Sequence, residues 1–363
     1  MSFFRPPAPS ASLDRKRVIH LVDDTTPGGV MRYLDFLKND AALAEAAEHI
    51  LRPVSRGEIG RLSLDAEVIV SHLSVNWRAL PSLIALRARH ASARMIHVEH
   101  SYTAAFTALN VPSRGRFFTL LRSAYALFDK VVAVSAAQGE WLRARGIVPW
   151  DRLEIIRPAV DLSDFASLPA PRTRPRVIGA FGRLDRQKGL DTLILAFRKI
   201  PGHDKTLRLY GAGADLAMLK SLAAGDARIE FPGHVAVPAL AMAEVDVVAM
   251  PSRWEAYGIA ALEARVAGRP LVATSIDGLR DHAGPGVTLV RPGAVDELSQ
   301  ALLENATSSQ TSDERIALAA LSETATRDGW RRLIMEGTCL TSARLAEAEI
   351  PSLSRAAVNC GPL

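Results

Sequence analysis

Two carboxylates, Glu255 and Glu263, stand with seven residues between them in Pro251-Ser252-Arg253-Trp254-Glu255-Ala256-Tyr257-Gly258-Ile259-Ala260-Ala261-Leu262-Glu263. The stretch follows an apolar run, Val247-Val248-Ala249-Met250, and reads as strand, loop and helix in turn. Glu255 falls in the loop and Gly258 near the helix start. The small residues Gly258, Ala260 and Ala261 let another group come close to the backbone, and the free N–H groups and positive dipole end of a helix suit a phosphate. Glu263 then lies about 7–8 Å along the axis at 1.5 Å per residue, its side chain leaning back toward the N-terminus. Carboxylates on either side of an anion site would hold sugar hydroxyls. Taken alone, the same spacing also describes a surface loop followed by a solvated helix glutamate.

Other residues with chemical potential follow other apolar runs. Phe181-Gly182-Arg183-Leu184-Asp185-Arg186-Gln187-Lys188-Gly189-Leu190 is a basic, glycine-bounded loop, and Asp24-Thr25-Thr26-Pro27-Gly28-Gly29-Val30 opens a helix with a glycine pair. Asp23-Asp24 is not read as a metal motif, because the loop runs on into that pair. His100 ends the run Ile96-His97-Val98-Glu99 and is placed at a strand's carboxyl edge, whereas His20, His72 and His97 are weaker candidates.

The elements that must position these residues alternate regularly. Candidate strands cover 18–22, 68–70, 95–98, 131–134 and 153–156, then 177–181, 207–210, 228–231, 247–250, 271–273 and 287–290. Most are followed by helical periodicity, which means parallel sheets covered on both faces. The Pro- and Arg-rich segment 168–175 reads as a linker. The expectation is an α/β protein of two Rossmann-like domains, 1–170 and 171–363, facing a central cleft, with a C-terminal helical segment around 326–345 that crosses back onto the first. Ligands in such sheets bind beyond the carboxyl ends of the strands. The tail after about 351 has little pattern.

Residues 251–263 resemble the Glu-x7-Glu signature of retaining GT-B glycosyltransferases, in particular glycosyltransferase family 4, and 264–274 fit its helix-Gly-x-Pro-strand continuation. The loop 181–190 resembles that family's Gly-Arg…Lys-Gly loop, Tyr210-Gly211-Ala212-Gly213 its Gly-x-Gly turn, Phe231-Pro232-Gly233-His234-Val235 its base-facing loop, and Gly28-Gly29 its glycine pair. The resemblance covers about 17–161 and 176–305. It departs at Arg157-Pro158-Ala159-Val160-Asp161, where the family often has Asn-Gly-Val-Asp, and at Asp277-Gly278, where it has a glycine pair.

What the resemblance implies is a GT-B fold and a retaining, metal-independent hexosyltransferase that uses a UDP- or GDP-sugar as substrate, with no cofactor. Arg183 and Lys188 would take the diphosphate; Gly28, Gly29, Gly258, Ile259 and Val235 would meet the donor through their backbones. Glu263 would hold the ribose, Glu255 would steady the sugar, and His100 would touch sugar or acceptor. The leaving phosphate would take the acceptor's proton in a front-face attack. A GT-B nucleotide-sugar epimerase and a non-catalytic GT-B scaffold subunit are the alternatives. No Gly-x-Gly-x-x-Gly opens a helix, which disfavours an NAD oxidoreductase.

Composition narrows the setting. The chain of 363 residues is 48% hydrophobic and 23% charged, which excludes disorder or collagen as its main state. No apolar run approaches the ~20 residues of a membrane span, and the N-terminus has no signal-peptide core. Cys339 and Cys360 are the only cysteines, so a reducing, cytoplasmic compartment is expected. All of the net charge of +5 falls in residues 1–172, and between Arg78 and Arg122 seven arginines face one acid, Glu99. With Phe117-Phe118 among them, this stretch reads either as packing on the first sheet or as an aromatic, basic surface for an anionic bilayer. A lipid-linked or polysaccharide acceptor in bacterial surface polysaccharide synthesis, contact with the inner membrane's cytoplasmic face and no nucleic acid partner complete the expectation.

Overall fold

Short β-branched runs that bury both faces build two parallel sheets. The computed structural model describes residues 15–336 apart from 56, 224 and 305–309. The tail after 351, both cysteines and the end of the expected crossing segment lie outside the described residues.

The first sheet holds β1 (Lys16–Val22), β2 (Ala47–Pro53), β3 (Val68–Ser71), β4 (Arg94–Glu99), β5 (Lys130–Ala133) and β6 (Leu153–Ile155), in the order β2-β1-β3-β4-β5-β6. The second holds β7 (Val177–Phe181), β8 (Thr206–Tyr210), β9 (Ile229–Gly233), β10 (Val247–Met250), β11 (Leu271–Thr274) and β12 (Val287–Val290), in the order β12-β11-β10-β7-β8-β9. Every adjacent pair is parallel, for example Leu271 against Val287 and Val248 against Leu271. The α/β architecture of two Rossmann-like sheets is that expected from the sequence. β3, β10 and β11 are buried at every position, as near-continuous apolar strands under helices must be.

β2 is the strand the sequence pattern does not reveal. It lies at a sheet edge, alternates buried Ala47 and His49 with exposed Glu48, and ends in Arg52-Pro53. It also follows the alanine-rich helix Ala41–Ala46 without an intervening loop, so the helical composition masks its start.

Strand order sets where a site can form. In the second sheet the winding reverses between β7 and β10, and in the first between β1 and β3. Loops leaving such neighbours diverge and open a crevice. The loop 182–189 and the loop 251–258 leave the first pair of strands, and the glycine-pair loop 23–28 leaves β1.

The C-terminal helix Ser312–Met335 ties the domains together. Thr311 and Glu314 form a capping box at its start. Arg315 donates to Leu168 O (2.8 Å) and Ala267 O (3.2 Å). Further along, Thr326 Oγ1 donates to Arg157 O (2.7 Å), Arg327 pairs with Asp40 (2.6 Å), and the fully buried Trp330 donates from Nε1 to the Tyr33 hydroxyl (2.6 Å). The helix thus begins on the second domain and ends on the first.

Candidate active site

The loops after β7 and β10 press against each other, and glycine makes this possible at two places. Gly189 has φ 64°, and a Cβ there would lie 2.2 Å from Pro251 O. Gly258 has φ 90° and caps the helix Ile259–Val266; a Cβ there would lie 2.8 Å from Leu279 Cδ2. Both positions favour glycine through conformation and space together. The loops are then stitched by Arg253 N to Gln187 O (2.7 Å), Gln187 Nε2 to Trp254 O (3.1 Å) and Arg253 to Asp191 (2.6 Å). The turn at 211–213 is pinned from the far side, Leu184 N donating to Ala212 O (2.9 Å).

This knot brings Lys188 and Glu255 together. Lys188 Nζ donates to Glu255 Oε2 at 2.5 Å, and Ser252 Oγ donates to the same oxygen at 3.3 Å. The side chains are only 18% and 12% exposed, so the pair is largely withdrawn from water. The ammonium lies over Gly182, whose missing Cβ would stand 3.1 Å from Lys188 Cε. Beside the pair lies the N-terminus of the helix Ile259–Val266, where Ala261 N donates to Gly258 O (2.9 Å) and the helix dipole favours an anion.

The first domain closes on this surface. The helix Gly29–Asn39 starts at the glycine pair, and a Cβ on Gly29 would lie 3.2 Å from Ile259 Cδ1. One turn on, Arg32 forms an ion pair with Glu263 across the seam. Glu263 is buried, and burial holds its carboxyl above the usual carboxylate range despite the Arg32 charge. Tyr33, on the same helix, stands edge-on to His100 with ring centroids 6.1 Å apart. His100 sits just past β4 with Nε2 bonded to His72 Nδ1 (2.8 Å); burial brings its pKa down to about 4, so it is neutral at pH 7.

Lys188, Glu255, Gly258, Ile259, Glu263, Gly28 and Gly29 therefore meet at one seam, with His100 reached through Tyr33. Two expected donor ligands stand on neighbouring loops of the second domain. Arg183 is 64% exposed and turned to its own loop, with Nε 3.3 Å from Asp185 and Nη2 donating to Gln187 (3.0 Å). Val235 lies past β9, part-buried against the core. Among the weaker histidines, His97 points to the opposite sheet face, stacked on Tyr125 at 5.1 Å, while His20 and His72 are buried behind His100.

Sequence reasoning missed Arg32 and the aspartates of the turn Asp277–His282. Arg32 could have been found from helical periodicity, four residues after Gly28, whose carbonyl accepts its N–H (3.1 Å). Asp277 accepts from Thr103 Oγ1 (2.6 Å) and Ala105 N (3.1 Å), and Asp281 from Ala136 N (2.8 Å) and Arg157 Nε (2.8 Å). The second domain thus supplies carboxylates to the N-termini of two first-domain helices, the place where the dipole favours them. Phe117 and Phe118 pack on the first domain, Phe117 edge-on to Tyr102 (5.0 Å) and Phe118 edge-on to Trp141 (6.3 Å), so for these two rings the packing reading is the one that holds.

Two doubly covered parallel sheets whose carboxyl edges meet at a charged seam define the GT-B class of glycosyltransferases. Residues 175–307 match the family model Glycosyl transferases group 1, and residues 40–164 match Glycosyltransferase Family 4. Together these spans cover more than half of the chain, and the protein belongs to this glycosyltransferase family. It is similar to D-inositol 3-phosphate glycosyltransferase of Arthrobacter sp. (strain FB24), 33% identical over 169 residues, 41% of this chain and 40% of the relative. The matched stretch thus spans about two fifths of that relative's length. Solved structures share the fold: Anabaena Alr3699/HepE in complex with UDP and glucose (TM-score 0.68, 18% identity, 88% of this chain and 100% of that one), and the lipopolysaccharide outer core galactosyltransferase WaaB in apo form (0.62, 16%, 88% and 99%).

Proposed function

We propose that the protein is a retaining, metal-independent glycosyltransferase that moves a sugar from a UDP- or GDP-sugar to a lipid-linked or polysaccharide acceptor in bacterial surface polysaccharide synthesis. The second domain holds the donor and the first the acceptor. The observation that carries this reading is the Lys188–Glu255 pair, set at the strand-order reversal beside the N-terminus of Ile259–Val266. Lys188 and the first-turn N–H groups meet the diphosphate, whose charge grows as the sugar leaves. Glu255, freed from Lys188, steadies the sugar, and Glu263 holds the ribose. No carboxylate is offered as a nucleophile for double displacement; the acceptor attacks from the face the phosphate leaves, and the phosphate oxygen takes the acceptor's proton.

The acceptor class is supported by the family and by the outward face of the first domain. Trp77 and Leu109 are exposed large apolar side chains there, and Arg116 lies over the Trp77 ring at 5.5 Å, with Arg78 and Arg114 also exposed. Such a face suits reversible attachment to an anionic membrane from the cytoplasmic side. Among the described residues, no helix is long and apolar enough to cross a membrane.

A panel of nucleotide sugars, each with and without EDTA, tests the reading. Transfer or slow hydrolysis of one donor, unchanged by EDTA and with the anomeric configuration kept, is the expected result. Activity abolished by EDTA and restored by a divalent ion overturns metal independence, isomerised donor would mean an epimerase, and no nucleotide binding a scaffold.

A further inference from the structure

His100 is the last of four imidazoles laid side by side across the first sheet. His49 on β2, His20 on β1, His72 just past β3 and His100 just past β4 follow the strand order β2-β1-β3-β4. His49 Nδ1 and His20 Nε2 are 2.9 Å apart, His20 Nδ1 and His72 Nε2 2.9 Å, and His72 Nδ1 and His100 Nε2 2.8 Å. Neighbouring rings stack with centroids 5.2, 5.2 and 5.1 Å apart. Strand alternation places them on the face that carries Val18, Val70 and Val98. Trp330 stands edge-on to His20 at 5.7 Å, and Tyr33 closes over His100. Burial keeps all four neutral, His49 and His100 at about 4, with His20 and His72 also well below the usual imidazole value.

A neutral imidazole carries one N–H and one lone pair. His20 and His72 use both nitrogens within the row, so each must donate on one side and accept on the other. The four rings then point the same way, three N–H groups fill the three bonds, and the fourth is left at one end. If the row points toward His49, that N–H sits on His49 Nε2, which is buried and has no partner. The nearby carboxylate of Asp40 does not serve it: its oxygens take Arg327 Nε (2.6 Å) and Leu43 N (3.0 Å). If the row points toward His100, the spare N–H sits on His100 Nδ1. His100 is only part-buried, and a cavity of about 20 Å³ opens beside it. Glu99, which also lines that cavity, is committed to Ser101 N (2.6 Å), Tyr102 N (2.8 Å) and the Tyr125 hydroxyl. Stranded buried N–H groups are rare in folded proteins, whereas an N–H at the cleft edge is served by water or ligand.

We propose that the row is polarised from His49 to His100 and so fixes His100 as an Nδ1–H hydrogen-bond donor to a substrate oxygen, with His72, His20 and His49 as positioning residues. His100 is then not a base. For it to accept a proton at Nδ1, the three internal bonds would all have to reverse and strand an N–H at His49. The substrate contact rests on the function proposed above; the polarity of the row does not, and is measured without substrate.

The test is two-bond proton–nitrogen correlation spectroscopy on the full-length protein labelled with ¹⁵N-histidine, at pH 7 and without ligand. The nine histidines are sorted by the loss of single sets of signals in His100→Asn, His72→Asn, His49→Asn and His20→Asn. All four row members are expected as Nδ1–H tautomers. Nε2–H tautomers along the row, or an imidazolium at His100, overturn the proposal. Activity gives an independent reading, because an Asn at 100 offers an amide N–H close to the Nδ1 position but cannot serve as a base. His100→Asn should stay within about tenfold of wild-type kcat while His100→Ala falls further. If both lose the ~10²–10⁴-fold typical of a missing general base, His100 is a base and the donor assignment is wrong.

Discussion

Replacing Glu255 with Gln should strengthen nucleotide binding and weaken catalysis at once. The carboxylate holds Lys188 Nζ at 2.5 Å, with both side chains mostly shielded. At 4 Å and an effective dielectric of 20 such charges attract by ~4 kcal/mol, but much of that repays lost hydration. The net value of a charge-assisted hydrogen bond is ~1.5–3 kcal/mol. A nucleoside diphosphate that takes Lys188 must forgo this, so its measured affinity is the difference between two bonds. Glutamine keeps the shape and one acceptor oxygen but removes the competing charge. UDP or GDP alone should then bind about tenfold tighter, since 1.4 kcal/mol is a factor of ten. Turnover should fall by ~10²-fold or more, because a charge held against the developing positive sugar is lost. Lys188→Ala should move affinity the other way, by ~10- to 150-fold from the same bond energy. Calorimetric titration of free nucleotide and initial rates with the full donor read the two effects separately. A Glu255→Gln protein that binds free nucleotide no more tightly than wild type refutes the competition argument.

Two further outcomes follow from other parts of the molecule. Burial raises the Glu263 carboxyl above its unfolded value, so its stabilising contribution is complete at low pH and is lost as pH rises through the folded pKa. Urea titrations should therefore show wild type losing stability relative to Glu263→Gln as the pH rises above the ordinary glutamate value of about 4.3, with nucleotide binding weakened in the variant; a difference that grows in wild type's favour would mean Arg32 outweighs burial. On the first domain, Arg114→Ser with Arg116→Ser should cost about 1 kcal/mol per residue in binding to anionic vesicles, steeply salt-dependent, and leave nucleotide affinity unchanged; a wild-type protein that ignores such vesicles at low salt removes the membrane from the proposal.

The donor side of the site was legible because its constraints act on the backbone and are written in residue type. Gly189 and Gly258 are glycine where φ is positive and a Cβ would collide, and both sit in the stretches that single out the loops after β7 and β10. The strands were legible where both faces are buried, as in Val247–Met250. Partner choice was not legible. Arg183 looks like Lys188 in a string of letters, yet one turns to Asp185 on its own loop and the other reaches Glu255 from a different strand. Phe117-Phe118 beside arginines fits a membrane or a core equally well until Tyr102 and Trp141 are seen to meet the rings. The histidine row was hidden twice over. Its members come from four strands, and His49 lies on the edge strand whose polar, alanine-preceded sequence conceals it.

The charges named at the seam are engaged with one another. Lys188 is held by Glu255, Glu263 by Arg32, and Arg183 by Asp185 and Gln187. Such a site discriminates by the partner it must displace as well as by the ligand it attracts. A monoanion offers Lys188 about what Glu255 already gives and gains little by exchange. A diphosphate offers a second charge, which reaches the helix N-terminus at Gly258 while the first replaces the carboxylate. Its sugar hydroxyls can then donate to the carboxylate that has been released, so Glu255 is not left buried and unpaired, an outcome costly for any charge withdrawn from water. Free phosphate satisfies neither condition, and a free nucleoside diphosphate satisfies only the first. The complete donor satisfies both, which is a physical reason for this pair of residues to face each other.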